Sequence, residues 1–111
     1  MFVSVLVSSS LSVGDVVTFS TVDQKWVISS ANPTSIFGVL KTAPDSANIS
    51  QVIFKGIAWA KCSDVIPDEG GHLNIQNGGV IIGSDNNLGL ISPNVYEGTA
   101  RDAGDLVMVY L

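Results

Sequence analysis

A period of two constrains this chain more than any other feature. Val3, Val5 and Val7 recur at every second position, interleaved with Ser4, Leu6 and Ser8. Short β-branched and aromatic runs follow at intervals: Val16-Val17-Thr18-Phe19, Trp26-Val27-Ile28, Val52-Ile53-Phe54, Val80-Ile81-Ile82 and Leu106-Val107-Met108-Val109-Tyr110-Leu111. Runs of this kind, bounded by Gly, Asn, Asp and Pro, read as strands. No window carries apolar residues at i, i+3, i+4 and i+7 over three turns, so helices are at most short. Asn77-Gly78 lies between Leu73-Asn74-Ile75 and Val80-Ile81-Ile82, which is the strongest short-range hairpin signal. Strands spaced every eight to twelve residues or so predict a sandwich or barrel. The expectation is a single all-β domain, antiparallel, with little helix.

No linker or low-complexity tract divides the 111 residues, and that length suits one core. Met1 to Gly14 contains no charged residue. A free edge strand normally carries Lys, Pro or a bulge against aggregation, and this one carries none. Either it pairs inside the fold or it pairs with a neighbouring subunit or surface. Its terminal position favours the second, because exchange between chains is easy there. On that reading residues 1–13 form an N-terminal strand or arm between subunits, and residues 14–111 form the β domain.

There is also an internal echo. Gly14-Asp15 precedes Val16-Val17-Thr18-Phe19, and Gly104-Asp105 precedes Leu106-Val107-Met108-Val109. Gly supplies the turn conformation and Asp bonds nearby backbone, so two ordinary turns leading into strands account for it.

Composition narrows the function classes. Hydrophobic residues make up 46% of the chain but charged residues only 14%, against a usual charged share of about 25%. Mean hydropathy is +0.41. Apolar surface of that extent predicts burial in an assembly, most simply a homo-oligomer. Ten acids against five bases give a net charge of −5, and the bases stand singly. Nucleic acid and anionic membrane surfaces need clustered cations, so neither is an expected partner. No apolar run approaches the ~18 residues of a membrane helix. The N-terminus lacks the basic stretch and cleavage site of a signal peptide, so export by the general route is not expected. Cys62 is the only cysteine, which rules out an intrachain disulfide and a thiolate zinc cluster.

Catalytic and metal-binding chemistry finds little footing, and no enzyme, cofactor or metal site is expected. His72 is the only histidine; Cys62-x9-His72 matches no zinc spacing. No serine sits in a nucleophile elbow. Ser84-Asp85-Asn86-Asn87 resembles the start of a calcium loop, but Leu90 stands where the loop's glycine is needed and Tyr96 where its bidentate glutamate is needed. Trp26 and Trp59 could stack on bases or sugars. Each lies inside an apolar run, so burial in the core or in a subunit contact is the better expectation. The candidate interface residues are Phe2, Val3, Val5, Val7 and Trp59.

Taken together, Gly14-Asp15-Val16-Val17, Gly38-Val39-Leu40, Gly56-Ile57-Ala58-Trp59-Ala60, Gly98-Thr99-Ala100 and Ala103-Gly104-Asp105-Leu106-Val107-Met108-Val109 resemble the small decoration, or cement, proteins of tailed-bacteriophage heads. The likeness runs from about Ser12 to Leu111. It implies a trimer on the capsid exterior, assembled in the host cytoplasm, that binds the major capsid protein and stabilises the head of the virion. Met1–Ser10 has no counterpart in that pattern. A cement protein needs no active site, and it works through many repeated weak contacts. The competing reading is a trimeric fibre-tip or adhesin-like module that recognises a glycan or receptor. Such a fibre normally carries a long repetitive shaft, and none is present here.

Overall fold

The computed structural model describes residues 2–34, 36–83, 88–93 and 101–111. These form ten strands and no helix: β1 (Phe2–Leu6), β2 (Val16–Ser20), β3 (Lys25–Ile28), β4 (Phe37–Leu40), β5 (Ile49–Ile53), β6 (Ile57–Lys61), β7 (Gly71–Gln76), β8 (Gly79–Ile82), β9 (Ile91–Ser92) and β10 (Leu106–Tyr110). They make two five-stranded sheets, ordered β1-β5-β4-β2-β3 and β6-β10-β9-β7-β8, with every ladder antiparallel. Neither sheet closes on itself. Of the two architectures expected, the fold is the sandwich-like one, not the barrel.

Each sheet nevertheless curls until its ends touch at one point. Val7 bridges Trp26 in the first sheet and Cys62 bridges Val80 in the second. The curl of the first sheet encloses Val7, Leu11, Val17, Leu40 and Val52, with Trp26 and Phe54 packed against them. Trp26 is wedged between Phe19 and Phe54, at ring distances of 5.6 and 5.0 Å. The opposite face of this sheet gives Val16 and Val39 to a larger core shared with Ala58, Ala60, Leu73, Ile75, Val107 and Val109 of the second sheet. The central strands of the first sheet are therefore buried on both faces. That is why Val16-Val17 and Val39-Leu40 are unbroken apolar pairs rather than alternations.

The N-terminal stretch is built into the first sheet of the same chain. β1 pairs with β5, Val3 opposite Val52 and Val5 opposite Ser50, so it does not stand off as a free arm. Val7 is only 1% exposed. Asn77 and Gly78 both have positive φ, 52° and 76°, the turn type that matches the twist of a two-residue hairpin. They join Gln76 to Gly79 as the sequence predicts.

The internal echo is more than two ordinary turns. In Ser12–Asp15 the Ser12 amide donates to Asp15 Oδ2 at 2.7 Å and the Asp15 amide donates to Ser12 O at 3.1 Å. In Asp102–Asp105 the same two bonds measure 3.1 and 3.0 Å. Gly14 and Gly104 share φ of 91°. Gly14 N donates to Leu40 O and Leu40 N to Asp15 O, just as Gly104 N donates to Cys62 O and Cys62 N to Asp105 O. β2 with β4 thus has its structural twin in β10 with β6.

Candidate assembly surface

The alternation of the second sheet leaves one apolar face uncovered. Ala58, Ala60, Val107 and Val109 point into the core. Ile57, Trp59, Leu106 and Tyr110 point the other way and are exposed, with Trp59 opposite Met108 and Ile57 opposite Tyr110. A solvent-facing strand ordinarily carries polar residues at such positions. β7, in the same sheet, does so: His72 and Gln76 are its exposed residues. The exposed apolar residues of this face sit on β6 and β10, with half-buried Ile91 of β9 beside Tyr110.

This apolar strip runs into a groove between the two sheets with a volume of about 540 Å³. Ile57, Trp59 and Leu106 line one side, and Phe2, Val39 and Ile53 of the first sheet line the other. The groove exists because Phe2 stands opposite Ile53 in the β1–β5 ladder, on the face turned away from the inner curl. Phe2 is 47% exposed and Trp59 44%. Lys41 is the one charged residue in the lining, and its ammonium sits 4.1 Å from the Phe2 ring centre, a cation–π contact.

One end of the groove is tied by an ion pair. Lys61 Nζ lies 2.9 Å from Asp15 Oδ1 and also donates to Ser12 Oγ. The Lys61 amide donates to Gly14 O at 2.8 Å. This knot fastens the Ser12–Asp15 turn of the first sheet to the edge of β6.

The candidate interface residues thus fall into two groups. Phe2 and Trp59, 57 positions apart, come together in one groove. Val5 and Val7 belong to the inner curl of the first sheet, and Val3 shares their face of β1. Ile57, Leu106 and Tyr110 were not singled out in the sequence. The sequence does not mark them, because an unbroken apolar run such as Leu106–Tyr110 equally fits a strand covered on both faces by its own chain, as Val16-Val17 is.

Among the described residues, no three His, Cys, Asp or Glu side chains stand close enough to hold a metal ion. The calcium-like stretch 84–87, Tyr96 and the Gly98-Thr99-Ala100 motif lie outside the described residues. Cys62 is buried; its Sγ donates to Asp102 O at 2.9 Å and approaches Asp105 O at 3.2 Å. Burial pushes its thiol pKa up, with Asp105 and Asp102 adding to the effect, so it is a poor nucleophile. No helix among the described residues is long and apolar enough to cross a membrane. The chain matches no protein-family model, no curated protein and no solved structure.

Proposed function

We propose that this protein is a structural assembly protein, an oligomer that binds the outside of a tailed-phage capsid at repeated positions and stabilises the shell. One observation carries the reading. β10 and β6 are apolar on both faces, and within one chain only one of those faces is covered. Exposed patches of this kind mark contact surfaces in soluble proteins, and a specific contact buries roughly 1,000 Å² or more. The resemblance of the Gly-Asp strand starts and the Gly-Ile-Ala strand to decoration proteins supplies the partner, the major capsid protein, and the trimeric state. A fibre-tip or adhesin role would call for polar groups converging on Trp59 to orient a sugar. The groove beside it offers Lys41 alone.

The test is co-sedimentation of the purified chain with empty phage heads lacking their own decoration protein, with its mass measured in solution. Saturable binding by a trimer supports the reading. A monomer that stays in the supernatant at high micromolar concentration overturns it.

A further inference from the structure

Four strands end the two sheets: β1, β3, β6 and β8. Two of them are drawn back onto their own chain. Trp26 of β3 accepts a hydrogen bond from the Ser8 amide, and Val80 of β8 accepts one from the Ser63 amide, both at 2.9 Å. That leaves β3 and β8 one outward residue each, Ile28 and Ile82, whereas among the described residues the outer lanes of β1 and β6 stay open over two residues each.

Which backbone groups face these lanes follows from the register. Gly56 and Leu111 exchange hydrogen bonds, and Cys62 N bonds Asp105 O, so the even residues of β6 face β10. The amides and carbonyls of Ile57 and Trp59 therefore point outward; that of Lys61 does too, and Gly14 O takes it. In β1 the Val7 amide bonds Asn48 O toward β5, so Phe2 and Ser4 point outward. Each chain thus presents two outward residues, two positions apart, on each of two lanes.

The twin sheets say what a lane of this kind holds. β4 is the counterpart of β6, and its far side carries β5 as an antiparallel strand, Val39 opposite Ile53 and Leu40 opposite Val52. Among the described residues the second sheet has no such strand beside β6.

We infer that the outer edge of β6 is a strand-addition site filled by β1 of a second copy, antiparallel, with Ser4 facing Ile57 and Phe2 facing Trp59. This inference rests on the assembly reading above and names its surface. The faces agree: Val3 of the incoming strand falls opposite Ala58 and Val5 opposite Gly56 on the core side of β6, and Phe2 joins Ile57 and Trp59 on the apolar side. The charges agree as well. β1 is uncharged, and the two cations at the lane are already matched, Lys41 by the Phe2 ring and Lys61 by Asp15. β3, which opens on Lys25, would bring an unmatched cation. Each copy gives one edge and receives another, a head-to-tail contact, which yields a ring where the rotation closes and an open filament where it does not.

Proline decides the matter at the level of the backbone, because it removes an amide that only the added strand uses and is tolerated at an edge. Trp59→Pro and Ser4→Pro are each expected to raise the dissociation constant of the oligomer at least tenfold by light scattering, with an unchanged circular dichroism spectrum. Mixed Ser4→Cys and Ile57→Cys chains are expected to form a disulfide-linked heterodimer under mild oxidation. That pair also decides the question if a proline variant does not fold. A chain that assembles and binds heads, but ignores both prolines and forms no cross-link, overturns the lane and leaves the assembly reading standing. A monomer that binds heads overturns the lane and the oligomeric state and leaves head binding standing. A monomer that binds nothing overturns the lane and the assembly reading.

Discussion

Asp15 and Asp105 occupy the same place in two copies of one turn, yet only Asp15 is buried. Each carboxylate accepts the amide three residues before it, Ser12 at 2.7 Å and Asp102 at 3.1 Å. Asp15 also meets Lys61 across the seam between the sheets. Asp15→Ala removes the part-buried acceptor of the Ser12 amide and the partner of the Lys61 ammonium, at a cost of about 1–2 kcal/mol; the Lys61 side chain is about one-third exposed (32%) and water recovers part of the loss. At Asp105 solvent replaces the lost bond, so Asp105→Ala costs less. Urea melts of the two variants check the order, and equal losses would show that the seam contributes nothing.

The glycines of the same two turns make a second pair. Gly14 and Gly104 share φ of 91°, so alanine strains either one, by about 1 kcal/mol. A methyl at Gly104 meets open space, whereas one at Gly14 runs into the Leu106 side chain and the Lys61 backbone. Gly14→Ala is therefore expected to lower the melting temperature by several degrees more than Gly104→Ala.

How much of this was legible in the sequence divides along the range of the interactions involved. Asn77-Gly78 could be read because a two-residue turn needs positive φ at both positions. The strands at Val16, Trp26, Val80 and Leu106 could be read from their own side chains. The strand order could not, since whether β1 lies beside β5 or beside a neighbour depends on residues some 50 positions away. The groove is hidden for the same reason: Phe2, Ile53 and Trp59 meet only after both sheets have formed. In β1 the valines form one uniformly apolar face by alternation, and that face packs into the inner curl. The less regular set, Phe2, Ser4 and Leu6, is left facing out.

Cys62 gives a pH dependence whose sign follows from burial. Its folded-state pKa is raised, so folding favours the protonated thiol. The stabilisation is complete below the thiol's ordinary pKa of about 8.5. It is lost as pH rises above that value toward the folded pKa, because the unfolded chain gives up its proton first. The urea midpoint should stay level to about pH 8 and then decline. Cys62→Ser keeps a donor for the Asp102 carbonyl and does not titrate, so the Cys62-dependent part of the decline should vanish. A decline identical in both proteins would assign it to other groups.

The last prediction separates the two faces of β1. Val7→Ala removes two methyl-sized groups from the inner curl, where Val7 packs among Leu11, Val17, Leu40 and Val52. At roughly 0.8 kcal/mol per group, with a further cost for the cavity, the loss comes to about 2 kcal/mol. Phe2→Ser takes an exposed ring from the groove and gives up one cation–π contact with Lys41, so folding stability changes by no more than about 1 kcal/mol. Assembly should respond in the opposite order. Aromatic anchors dominate contact surfaces, so Phe2→Ser is expected to weaken self-association at least tenfold, while Val7→Ala assembles normally at temperatures where it remains folded. The same two variants, measured by chemical denaturation and by sedimentation, carry both halves of the comparison. If Val7→Ala dissociates the oligomer without lowering stability, the valine face of β1 is the contact surface, and the partition of this strand into a core side and an assembly side is wrong.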